Sequence, residues 1–132
     1  MDALNNETLI RPFWEGAARG QLLTCFCTLC RTDIWYPKEH CPVCAGAISW
    51  RPLNGRASLL SWTVVRRQIN GQFDVPYMPA IVIPEDAPEV HLVTCLSLPE
   101  GVSPYCDMPL NVRFSELTPL QGKPFVAPVF TA

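Results

Sequence analysis

Histidine is scarce in this 132-residue chain: there are two, His40 and His91, and their surroundings suggest no Ser-His-Asp or Cys-His relay. Glycine is also sparse, at seven residues, and forms no phosphate-cradling loop. Charged residues make up only 17% against 48% apolar, and the formal net charge is only −2, which describes a folded chain and not a disordered one. The chain has no run of eighteen apolar residues, and no membrane span is expected. Its first residues, Met1-Asp2-Ala3-Leu4-Asn5-Asn6-Glu7, lack the basic start and apolar centre of a signal peptide, so a cytoplasmic protein is expected. Paired-carboxylate chemistry is disfavoured as well. Asp33 and Glu39 fall in turns, Asp74, Glu85, Asp86 and Glu89 fall in loops, and nothing in the pattern sets two of them against each other.

Cysteine and proline, by contrast, are plentiful, at seven and fourteen residues. In a cytoplasmic chain cysteines point to metal before disulfides. Four of them stand as two pairs, Cys27-Thr28-Leu29-Cys30 and Cys41-Pro42-Val43-Cys44. Each Cys-x-x-Cys turn can aim two thiolates at one point, and two such turns complete the tetrahedral S4 shell that structural zinc prefers. That shell leaves the ion no open position for water or substrate. Cys25 is a competing ligand, but only Cys27 has the two-residue spacing to Cys30. His40 could exchange with Cys41, although an exposed turn residue is the simpler expectation. Cys95 lies in an apolar run and is expected to be a buried small hydrophobe. Cys106 follows Pro104 in a loop with no basic neighbour to lower its pKa.

The periodicity divides the chain into three: residues 1–21, 22–52 and 53–132. In the first, a loose lead-in to residue 10 precedes a short helix that opens at Pro12 and stops at Gly20. The second is a zinc ribbon of short strands at Leu22-Leu23, Ile34-Trp35-Tyr36 and Ile48-Ser49-Trp50. It is too small to bury a useful core, so metal must supply most of its folding free energy. The third is β-rich, with runs at Ala57–Val65, Pro79–Pro84, Val90–Leu98, Leu110–Phe114 and Phe125–Phe130. Asn70-Gly71 is a hairpin-turn signal. Eleven of the fourteen prolines follow residue 51, which excludes long helices there. The fold expected is mainly β: a short N-terminal helix, a rubredoxin-like zinc ribbon and a C-terminal OB-fold barrel, with an SH3-like barrel as the competitor.

Ribbons and OB barrels both bind nucleic acid in other proteins, so charge must decide. After residue 50 there are six basic residues (Arg51, Arg56, Arg66, Arg67, Arg113, Lys123) against seven acidic ones, and only Arg66-Arg67 are adjacent. That is not the basic stripe a phosphate backbone requires. All four tryptophans lie in the first 62 residues. Trp50 and Trp62 are expected where ribbon meets barrel, and Trp14, Trp35 and Tyr36 in an exposed patch that a second protein covers.

In order along the chain, Phe13-Trp14-Glu15-Gly16, Gly20-Gln21-Leu22-Leu23, the two cysteine pairs with Tyr36-Pro37 between them, Trp50, Gly55-Arg56-Ala57, Ser61-Trp62-Thr63-Val64-Val65 and Pro128-Val129-Phe130 resemble the zinc-ribbon/OB-fold family called domain of unknown function 35, described as acyl-CoA-associated. Arg31 departs from that family's usual glycine, and Cys25 is an addition. The resemblance implies a non-catalytic subunit rather than an enzyme in its own right. It would bind structural Zn2+ through Cys27, Cys30, Cys41 and Cys44 and scaffold a hetero-oligomer with a thiolase-fold acyltransferase or aldolase. The substrates implied are acyl-CoA or acyl-ketone compounds. A hot-dog-fold enoyl-CoA hydratase as partner, or a free-standing single-strand-binding OB module, are the alternatives.

Overall fold

In a computed structural model, which describes residues 3–68, 74–118 and 123–132, helix α1 spans Ala3–Ala18. The expected lead-in is therefore helical almost throughout, and Pro12 lies inside the helix instead of opening it. Proline removes one intrahelical hydrogen bond. Docking offsets that loss: Phe13 and Ala17 are almost fully buried, and Phe13 joins the barrel core. Gly20, at φ 77°, ends the helix, and the Gln21 N–H returns to the Gly16 carbonyl at 2.8 Å. Gly16 also allows close approach to the next strand, since a Cβ there would lie 2.7 Å from Leu23 Cδ1.

The ribbon is a three-stranded antiparallel sheet of β1 (Leu23–Cys27), β2 (Thr32–Ile34) and β3 (Ile48–Pro52), with β1 in the centre. Cys25 is held between Ile34 and Trp50 across the two neighbouring strands. The barrel follows as β4 (Arg56–Trp62), β5 (Met78–Pro84), β6 (Leu92–Leu96), β7 (Pro109–Leu117) and β8 (Phe125–Thr131). These strands close in the order β4-β5-β6-β8-β7, with β7 returning to β4. The pairings are antiparallel except β6 with β8. This is the five-stranded Greek-key barrel of the OB type. The Asn70-Gly71 turn signal lies outside the described residues.

Alternation builds the core as the pattern requires. Leu59, Val82, Leu92, Leu110 and Phe130 point inward, while Val112 and Phe114 pack against them. The parallel seam is thin. Leu96 opposite Phe130 is its register pair, reinforced by Ser97 N–H to the Phe130 carbonyl (2.8 Å) and Thr94 Oγ1 to the Pro128 carbonyl (2.9 Å). Pro128 offers no N–H, so the ladder cannot extend there.

Aromatic packing ties ribbon, helix and barrel together. Trp50 touches both the barrel core and the cysteine cluster. Trp35 lies 5.2 Å from Phe13 and 6.4 Å from Trp50, ring centre to ring centre. It is therefore partly buried against the core and not in the exposed patch expected of it. Trp14 and Tyr36 are exposed as expected.

Asp33 also lies on a strand and not in the turn expected from sequence. From β2 it accepts two hydrogen bonds from Arg51 of β3, at 2.9 and 2.8 Å, and Arg51 also donates to the Asp86 carbonyl after β5 at 2.7 Å. One guanidinium thus joins ribbon and barrel with bidentate geometry. Asp33→Ala would leave Arg51 half-buried without its carboxylate. A loss of about 1–2 kcal/mol is expected in chemical denaturation, between the values for exposed and buried pairs.

Candidate metal centre

The Cys27, Cys30, Cys41 and Cys44 sulfurs all lie within 4.8 Å of one another, as the spacing predicts. The first pair sits on the turn between β1 and β2, and the second on the loop before β3. The two turns repeat one geometry. Arg31 N–H donates to the Cys27 carbonyl and Ala45 N–H to the Cys41 carbonyl, both at 2.8 Å. The residue after each pair takes a left-handed conformation, φ 56° at Arg31 and 61° at Ala45. In the second turn this conformation falls on Ala45 and not on the glycine that follows it. Gly46 serves another need: a Cβ there would stand 3.1 Å from both Cys44 Sγ and Leu29 Cδ1. Arg31 meets the tight turn where the resembling family has glycine, at the strain cost of a side chain in this region. Arg31→Gly is expected to stabilise the site by about 0.5 kcal/mol, relief of strain being partly offset by a freer unfolded chain. A competitive chelator titration would read this as roughly twofold tighter metal binding.

Backbone N–H groups point at the sulfurs: Cys30 to Cys27 Sγ (3.4 Å), Val43 to Cys41 Sγ (3.4 Å) and Gly46 to Cys44 Sγ (3.3 Å). Such donors favour thiolate over thiol. Cys41 is drawn down to about 7 by the backbone donors of Cys44 and then Val43. Cys30 is pushed up to about 12, first by hydrogen bonding to the Cys44 sulfur, then by lost hydration and its other two neighbours. Four thiols this close cannot all ionise against their mutual repulsion. A dication removes the conflict, because its charge pays for four thiolates at once. The donor set fits a soft, tetrahedral ion and has no fifth group.

The remaining cysteines stand apart from this cluster. Cys25 is fully buried on β1, and burial pushes its thiol up. Cys106 is exposed. Cys95 is only partly buried and lines a cleft, so it is not simply core. His40 is exposed and pairs its backbone with Ala47 without joining the sulfurs. Among the described residues, no helix is long and apolar enough to cross a membrane.

No family model matches the sequence, and no curated protein matches it. Solved structures do. A chain described as the Ltp2-ChsH2(DUF35) aldolase superposes with a TM-score of 0.77 at 25% identity, covering 92% of each chain. A protein of unknown function from the DUF35 family of Sulfolobus solfataricus superposes with a TM-score of 0.57 at 15% identity, covering 92% of this chain and 83% of its own. These structural neighbours are DUF35 proteins, the family the sequence resembles. They also overturn one expectation. A non-catalytic subunit was expected from the resemblance, with the lack of a catalytic constellation in agreement, yet the 25%-identical neighbour is described as an aldolase. The absence of a self-contained relay in one polypeptide says nothing of a site that an assembly completes.

Proposed function

We propose, on the premise that this chain is a DUF35 protein, that it is a zinc-binding part of an aldolase-type enzyme complex that makes or breaks a carbon–carbon bond in an acyl thioester. The observation that carries this reading is the superposition on the Ltp2-ChsH2(DUF35) aldolase over nearly the full length of both chains. The four-sulfur cluster, the exposed Trp14 and Tyr36 and the family resemblance support it. In this reading Cys27, Cys30, Cys41 and Cys44 hold Zn2+, whose chemistry is to fix the ribbon. A thiolase-fold subunit completes the hetero-oligomer, and acyl-CoA compounds are its substrates. Charge argues against a nucleic-acid partner: Arg51 and Arg56 are committed to Asp33 and Glu85, which leaves few free cations on the barrel among the described residues.

The test is reconstitution. The chain and a thiolase-fold subunit that co-purifies with it from the source cell are purified apart and together, and cleavage of a β-hydroxyacyl-CoA is followed. Turnover by the pair and by neither chain alone is expected. Equal turnover by the large subunit without this chain would refute the reading.

A further inference from the structure

The thin β6–β8 seam leaves a cleft on the outside of the barrel, beside the helix. One half has a volume of ≈ 270 Å³ and is walled by Phe13, Trp14, Val93, Phe125 and Pro128, with Cys95 also in its lining. A second hollow of ≈ 310 Å³ shares Tyr77, Cys95, Leu117 and Val129 with the first and is polar. Its lining includes Arg113, Ser97 and Ser115 together with the acidic residues Asp74 and Glu116. Together the two halves form one amphipathic trough with the Cys95 thiol at its waist. Each half approaches the volume of a small-ligand site, and an apolar hollow with polar groups gathered at one end is the usual form of such sites.

We propose that this trough binds a neutral amphiphile, with an apolar body against Trp14 and Phe125 and an uncharged hydrogen-bonding end beside Arg113 and Ser115. The polarity of the second hollow selects the end group. One basic residue and two acidic residues line that hollow, so its formal charge is negative and an anionic head meets net repulsion there. An alcohol, ketone or ester loses nothing to those acids and can accept from Arg113, which makes no ion pair among the described residues. Burial pushes the Cys95 thiol up, which keeps it uncharged where an apolar ligand would pass. The inference does not depend on the aldolase reading, because the trough belongs to this chain alone.

The experiment uses the full chain with 1-decanol, 2-decanone and decanoate as probes. Binding is read by tryptophan fluorescence and by the rate of alkylation at Cys95, mapped by mass spectrometry. The alcohol and the ketone should saturate, slow Cys95 alkylation at least fivefold and bind at least tenfold more tightly than decanoate. The fluorescence response should vanish in Trp14→Phe. Val93 is 72% exposed, so Val93→Trp can plug the trough without disturbing the core, and it should weaken binding at least tenfold. Absence of saturation by both neutral probes, decanoate binding as tightly as they do, or binding unchanged in Val93→Trp would overturn the proposal. So would protection of Cys95 by a protein partner alone and by no small amphiphile, which would make the trough a protein-docking groove.

Discussion

Stripping the metal, or replacing Cys27 with serine, is expected to unfold residues 22–52 while β4–β8 stay folded. The physical reason is the division of cores. The barrel owns Leu59, Val82, Leu110 and Phe130, all almost fully buried. The ribbon's own cluster is Cys25, Cys27, Ile34 and Cys41, so two of its four buried members are metal ligands. Structural zinc contributes on the order of 10 kcal/mol to such small folds, and nothing else in the ribbon is of that size. The change should be seen as loss of the near-ultraviolet dichroism of Trp35 and Trp50, with far-ultraviolet strand signal from the barrel retained. Acid should act in the same direction. Each ligand must shed its proton to bind, so affinity falls as pH falls. Cys41, drawn down to about 7, gives up its proton near neutrality, whereas Cys30, at about 12 without metal, loses its proton only to the ion. Cys25→Ser is the control and should keep one metal per chain, because Cys25 lies outside the four-sulfur group.

Phe130→Ala should be the most damaging substitution in the barrel, costing about 3–5 kcal/mol as a large-to-small change at a site that cannot collapse. Phe130 is completely buried and lies in the core on the last strand. Its backbone closes the parallel seam, and its side chain fills the space beneath. Total stabilities of small domains run to about 5–15 kcal/mol, so this loss approaches the unfolding threshold. Urea denaturation should show the midpoint falling steeply. Val93→Ala, on the exposed face of β6, should stay within about 0.5 kcal/mol of the parent.

How far the sequence was legible varies from element to element, for physical reasons. Strand β7 could be read because Leu110, Val112 and Phe114 alternate with Asn111, Arg113 and Ser115, and one face is wet. The sulfur cluster was legible because ligand spacing is local: two turns, each written in four residues. The helix start was misread because Pro12 suits a first turn, and docking of Phe13 on the barrel core, whose strands come later in the chain, lets it sit inside the helix instead. Trp35 and Asp33 were misplaced for the same reason, since their partners Phe13, Trp50 and Arg51 are distant in sequence. The trough carries no sequence signal at all. It arises where Thr94 of β6 faces Pro128 of β8 and the ladder stops.

The central claim is a closed shell of four thiolates around one ion, and X-ray absorption at the metal edge with elemental analysis addresses it most directly. The account predicts one zinc per chain and four sulfur scatterers at about 2.3 Å. A nitrogen or oxygen in the shell, contributed by His40 or water, or a metal-free chain whose ribbon remains folded, would contradict it.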